Sequence, residues 1–192
     1  ARQAWLLGRG LEPLASFSDG RTFRIFVRLR KHLSHEEESQ IGFIGRCGIC
    51  GAQFSQTLLK FKEWQECSCG IGLGRLAISG PLWIGPLQST NALLKIKELA
   101  KKFSLPIVES SKKLINRLHS DDGLPVFSWS THELASRANL KEPPPLDLII
   151  QLLRAVGFQA FRSGVVPGNF RTNASIEELL IICEEKLFKG FK

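Results

Sequence analysis

Four cysteines crowd one short stretch of the chain: Cys47, Cys50, Cys67 and Cys69. The first pair is Cys47-Gly48-Ile49-Cys50 and the second is Cys67-Ser68-Cys69. A thiolate is a soft ligand, and four of them close a tetrahedron around a zinc ion. One pair makes a turn and supplies two ligands, a loop crosses over, and the second pair completes the shell. The spacing therefore predicts one structural zinc on Cys47, Cys50, Cys67 and Cys69. The competing readings are four small buried hydrophobes met by chance, which two close pairs argue against, and a disulfide framework, which an intracellular chain would keep reduced. The fifth cysteine, Cys183, sits in the apolar run Leu179-Leu180-Ile181-Ile182-Cys183 and is expected in the core.

Other chemistry is sparse. His32, His35, His119 and His132 show no base–nucleophile spacing, and no paired carboxylates offer acid–base work. Gly70, Gly72 and Gly74 follow a cysteine knuckle rather than a strand that opens a helix, so they are not read as a nucleotide loop. Charge is the second informative property. The 192 residues carry a formal net charge of +8, which favours a polyanionic partner such as nucleic acid. Arg24, Arg28, Arg30 and Lys31 form a basic segment near the start, and Arg154, Arg162 and Arg171 fall in the last third. These seven are the candidate RNA contacts, through phosphate neutralisation. Trp83 and Trp129 are expected in the core.

The elements that must position these groups are read from periodicity. Residues 1–7 end a helix, broken by Gly8 and Gly10. Phe23, Ile25, Val27 and Leu29 alternate with Arg24, Phe26, Arg28 and Arg30, which is a strand with one apolar and one basic face. His32 to Gln40 reads as a loop or turn, Ile41 to Gly45 as a short strand, and Phe54 to Trp64 as a hairpin. Gly70 to Ile84 suits short buried strands. Asn91 to Phe103 is an amphipathic helix with Ser89, Thr90 or Asn91 as its cap. A domain boundary is expected near Ser104 to Pro106.

The last part runs helix (Ile107 to His119), strand (Val126 to Trp129), helix (Ser130 to Ala138), helix (Leu146 to Val156), strand (Phe158 to Arg162), loop, strand (Phe170 to Asn173). A final helix to Phe188 follows, opened by the capping box Ser175-Ile176-Glu177-Glu178. That is the order of a winged helix, which places one helix and a wing against nucleic acid. Val108, Leu114, Ile115 and Leu118 are expected to point inward from the first of these helices, and Leu152 from the helix closed by Gly157.

Four blocks resemble a known family. They are Arg9-Gly10-Leu11-Glu12-Pro13-Leu14-Ala15-Ser16-Phe17-Ser18 with Phe23 to Arg28; the cysteine cluster; Gly80-Pro81-Leu82-Trp83-Ile84-Gly85-Pro86-Leu87; and Val126 through Thr131-His132-Glu133-Leu134-Ala135 and Gly157-Phe158 to Arg171-Thr172-Asn173-Ala174. Their order and content resemble the C-terminal part of the tRNA (guanine-N2)-dimethyltransferases, which modify guanine 26. The family usually carries His-Asp where this chain has Gln88-Ser89, and Lys-Thr where it has Arg171-Thr172.

The resemblance implies an α/β fragment, the last strands of a methyltransferase-type sheet, over residues 1–46. A zinc-knuckle region over 47–104 and an α+β winged-helix-like domain over 105–192 would follow. It implies tRNA as partner, a monomer, no membrane contact, and S-adenosylmethionine bound by an N-terminal part outside this chain. Catalytic residues would lie there too, so the fragment alone would be inactive. The implied compartment is the nucleus, with mitochondrion and plastid as alternatives. The rival from another class is a non-catalytic zinc-ribbon and winged-helix protein that binds nucleic acid or another protein.

Overall fold

The structure is a computed structural model that describes residues 1–67, 69, 75–103, 106, 108–120 and 123–188. The chain divides into two compact units. One comprises Ala1–Leu11, Leu29–Gly85 and Ser175–Glu178, the other Glu12–Arg28, Pro86–Ala174 and Leu179–Lys192.

A short helix α1 (Arg2–Leu6) precedes strand β1 (Gly10–Ser18), which pairs with β2 (Phe23–Arg30) in a two-stranded sheet. The alternating pattern makes β2 as expected, but its apolar set is not buried: Phe23, Ile25, Val27 and Leu29 are all exposed. Within His32 to Gln40, read as a loop or turn, Ser34 starts a single helical turn, α2 (His35–Glu38). That turn carries Glu37 inside, where its Oε2 accepts the Leu11 backbone N–H at 2.7 Å and the Trp5 indole N–H at 3.3 Å. A buried carboxylate needs such donors.

Strands β3 (Ile41–Cys47), β4 (Gln53–Thr57) and β5 (Leu76–Trp83) form an antiparallel sheet with β3 in the centre. Two glycines on β3 are set by close approach. A side chain on Gly42 would meet the Gln56 carbonyl oxygen at 2.1 Å, and one on Gly45 would meet the Trp64 ring at 2.8 Å. The expected hairpin from Phe54 to Trp64 is only its first arm: β4 ends in a 3-10 turn over Leu58–Lys60. Phe61 then packs against Phe43 and Trp64. Ile71 to Leu73, part of the expected Gly-rich strands, lies outside the described residues.

In the other unit, α3 (Thr90–Lys102) is capped by Ser89, whose Oγ accepts the Ala92 N–H at 3.3 Å. Helix α4 (Glu109–Ser120) packs beside it, with Leu118 and Leu114 meeting Leu93 of α3 and Ala15 and Phe17 of β1. Val108 precedes this helix and is 68% exposed, so it does not point inward as expected. Then come β6 (Trp129–Ser130), α5 (Thr131–Arg137), α6 (Leu146–Ala155), β7 (Ala160–Arg162), β8 (Asn169–Thr172) and α7 (Ile176–Ile182), continued as a π-helical segment to Phe188. The small sheet has the order β6-β8-β7, antiparallel throughout. The expected strands at Val126 and Phe158 start later than their apolar runs.

Local signals account for the helix ends. Ser175 and Glu178 satisfy each other: Glu178 Oε2 accepts the Ser175 N–H at 2.6 Å, and Ser175 Oγ accepts the Glu178 N–H at 3.2 Å. Ser130 caps α5 through the His132 N–H, while Glu133 pairs instead with Arg137 at 2.9 Å. Gly157 ends α6 at φ +97°, a left-handed position that favours glycine. Trp129, Ile149, Leu153, Phe170, Leu179 and Cys183 are buried and make the core of this part. Leu152 is only half-buried, one residue and about 100° of helix away from the buried Leu153.

Candidate metal centre and candidate RNA surface

Cys47 closes the central strand β3 and is buried. The chain then turns back on itself: Gly51 N–H donates to the Cys47 carbonyl at 3.0 Å, and Cys47 N–H to the Ala52 carbonyl at 2.9 Å. Gly51 sits at φ +79°, which the knuckle requires. This turn brings Cys50 beside Cys47, and the loop leaving β4 returns Cys67 and Cys69 to the same spot. The four Sγ atoms all lie within 4.8 Å of one another, with Cys50 and Cys67 3.5 Å apart. A tetrahedron with Zn–S bonds of about 2.3 Å has S···S edges of about 3.8 Å. The cluster is therefore close to the size that such an ion demands. All four cysteines are free thiols.

The electrostatics agree with the geometry. Burial raises Cys67 to about 12, helped by the adjoining thiols of Cys50 and Cys47. Burial also raises Cys50. At Cys47 burial acts in the same direction, but the backbone N–H groups of Cys50 and Ile49, then the thiols of Cys50 and Cys67, outweigh it and bring the thiol down to about 7. Four thiolates so close together repel one another, and a divalent cation at the centre removes that repulsion.

Six of the seven candidate RNA residues are engaged with other groups of the protein. Arg24 reaches Asp19 at 3.4 Å, Arg28 reaches Glu12 at 3.1 Å, and Arg30 lies 3.8 Å from Glu37. Asp19 is held down to about 2 by the backbone N–H groups of Thr22 and Arg21, then by the Thr22 hydroxyl and Arg24. Lys31 is exposed and has no ion pair among the described residues. Arg154 is exposed; its Nε donates to the Ala160 carbonyl at 2.8 Å, and its guanidinium lies 4.5 Å over the Phe161 ring. Arg162 is exposed and makes a two-pronged pair with Asp147 at 3.0 and 2.6 Å.

Arg171 is a correction. It is 3% exposed, and its guanidinium donates to the carbonyls of Pro125 and Leu124. It fastens the segment before β6 to strand β8 and offers nothing to a phosphate. Alternation on a short strand could not tell the inner from the outer face.

Gln88, which the sequence marked only as a departure from the family pattern, has a structural role. It is buried, and its amide copies a neighbouring strand: Oε1 accepts the Ser16 N–H and Nε2 donates to the Ser16 carbonyl, both at 3.0 Å. Beside it, Ser89 N–H donates to the Leu14 carbonyl at 3.1 Å. Gln88 and Ser89 thus tie the end of the Gly-Pro-Leu block to β1.

The described residues define a mixed α/β protein with antiparallel sheets and a four-thiol centre at the end of one of them. The chain belongs to the N2,N2-dimethylguanosine tRNA methyltransferase family, whose model matches residues 1–184. It is 28% identical over 183 residues to a tRNA (guanine(26)-N(2))-dimethyltransferase of Saccharolobus solfataricus, covering 93% of this chain and 46% of the relative. A tRNA (guanine(26)-N(2))-dimethyltransferase of Pyrococcus furiosus is also 28% identical, over 180 residues, covering 92% of this chain and 44% of the relative. The chain therefore spans less than half the length of these relatives. Its fold matches that of Trm1 from Pyrococcus horikoshii, solved with S-adenosyl-L-methionine, at a TM-score of 0.71 and 22% identity, covering 94% of this chain and 46% of that one.

Proposed function

We propose that this chain is a tRNA-contacting part of a tRNA guanine-26 N2-dimethyltransferase that uses S-adenosylmethionine. The observation that carries this is the family match over residues 1–184 in a chain less than half as long as its relatives. The sequence has no Gly-rich turn between a strand and a helix, so the cofactor site and catalytic residues are assigned to the remainder of the protein. S-adenosylmethionine supplies the methyl group there. This chain's residues position RNA and hold the fold. The order of elements from α4 to β8 and the β6-β8-β7 sheet support a winged-helix-like domain in its last part. A non-catalytic zinc-ribbon and winged-helix protein is the less favoured alternative, since the family match runs through both parts of the chain.

The decisive experiment is methyl transfer with labelled S-adenosylmethionine and tRNA. The chain by itself is expected to give no turnover and no cofactor binding. Activity restored by adding the other half of a family member supports the assignment. Turnover by this chain alone places the cofactor site within it and overturns the assignment.

The four-thiol centre is proposed to hold one structural zinc on Cys47, Cys50, Cys67 and Cys69. Zinc there does no chemistry on substrate. It cross-links the end of β3 to the loop that follows β4, which the sheet alone does not join. Cys50→Ser is expected to lower bound zinc from one equivalent to a small fraction and to loosen the segment from Ile41 to Trp83, read as faster hydrogen exchange there. Metal analysis of unchelated parent protein that finds no zinc rejects the site.

A further inference from the structure

Positive charge is segregated along this chain. Residues 90–120 hold seven Lys and Arg against two Glu, a net +5 in a chain whose total is +8, and residues 1–31 hold the same balance. Residues 121–192, where the winged order lies, hold eight basic against nine acidic residues, a net −1. A polyanion is drawn to the basic segments and not to residues 121–192.

The packing of α3 and α4 turns that charge outward. Leu93, Leu114 and Leu118 take the inner side of the helix pair. Lys95, Lys101, Lys102, Lys112 and Lys113 are exposed. Lys95 and Lys102 are seven residues apart, two turns of helix, and so share a face. Lys112 pairs with Glu109 at 3.4 Å, whereas Lys95, Lys101, Lys102 and Lys113 have no ion pair among the described residues. The contrast is with Arg24, Arg28 and Arg162, each of which already faces a carboxylate. An ammonium without a carboxylate has its charge available for a phosphate, and binding there releases the phosphate's counterions.

We infer that the lysine face of α3 and α4 is a phosphate-contacting surface for structured RNA in this chain. This rests on the tRNA reading above and moves its RNA surface away from the expected wing. Phosphate contacts fix orientation without reading sequence, so the surface would grip a folded RNA by its backbone while selection of a guanine occurs elsewhere.

The test is binding of an unmodified tRNA transcript to the 192-residue chain across a salt series. Lys95→Gln/Lys102→Gln is expected to lower the slope of log affinity against log salt by about two units, roughly one for each lost phosphate contact. Affinity at low salt should fall about tenfold or more. Arg154→Ala/Arg162→Ala should leave the slope unchanged. The glutamines keep helix propensity at exposed positions, and matching melting curves confirm that folding is intact. Lys101→Gln/Lys113→Gln supplies a second pair that should repeat the effect.

If the parent binds tRNA but neither lysine pair alters the slope, this surface is wrong while the tRNA reading stands. If the parent does not bind tRNA at all, both fail. Leu99 and Phe103 are exposed on the same helix end, at 50% and 61%, so phosphatidylserine vesicles are the matching control. Tighter binding to vesicles than to tRNA, lost in the lysine variants, overturns the RNA assignment in favour of an anionic lipid surface.

Discussion

Replacing Arg171 with alanine should destabilise the protein by about 1–3 kcal/mol, the cost of leaving buried backbone acceptors without their donor. The side chain is 3% exposed, and its guanidinium donates to the Pro125 carbonyl through Nε at 2.7 Å and to the Leu124 carbonyl through Nη2. Truncation removes the forked donor and leaves those carbonyls short of a partner in a place with little water, and each such loss costs more than the bond contributes. Arg171→Lys should recover little, because an ammonium on a flexible stem cannot reproduce the planar fork. Denaturant unfolding measures the loss directly, and in a chain of this size each kcal/mol is worth roughly 2–4 °C in Tm. A variant as stable as the parent but weaker in tRNA binding would return Arg171 to the RNA surface.

The second large effect is at Leu153. It is fully buried on α6, beside Ile149 and Ile150, and the helix packs on the small sheet that contains Ala160 and Phe170. Leu153→Ala removes buried methyl groups and leaves a cavity, at a cost of about 2–5 kcal/mol. Leu152→Ala should cost clearly less, since Leu152 is only half-buried and water already reaches part of it. The comparison is sharper than either value, because both substitutions remove the same atoms from adjacent positions of one helix. Urea unfolding of the two variants decides it. A Leu152 variant as destabilised as the Leu153 variant would mean that α6 is rotated by about 100° from the orientation described.

What was legible in the sequence was local. The reciprocal cap of Ser175 and Glu178 and the left-handed Gly157 depend on residues within one turn of each other, so residue type alone announces them, and it narrowed the cap of α3 to Ser89, Thr90 or Asn91. The period-two pattern of β2 and the start of the β3 strand were equally plain. The cysteine pairs were legible for a related reason: each pair is a short turn, and only the approach of one pair to the other needed the fold.

Tertiary structure decided everything that depends on which way a residue faces. Helix α6 is apolar at Leu152 and at Leu153 alike, so periodicity could not fix its phase, and contact with the small sheet did. An arginine on a three- or four-residue strand can be a surface cation or an internal clamp; Arg162 and Arg171 have the same chemistry and opposite fates, because β8 is the central strand and β7 an edge. Glu37 lies in an acidic stretch with nothing in its sequence to announce burial, yet the backbone N–H of Leu11 and the indole of Trp5 make that burial tolerable. The lysines of α3 and α4 are visible to any count of charge. That Lys95, Lys101, Lys102 and Lys113 face solvent without carboxylate partners among the described residues, while Arg24 and Arg28 have such partners, is a property of packing.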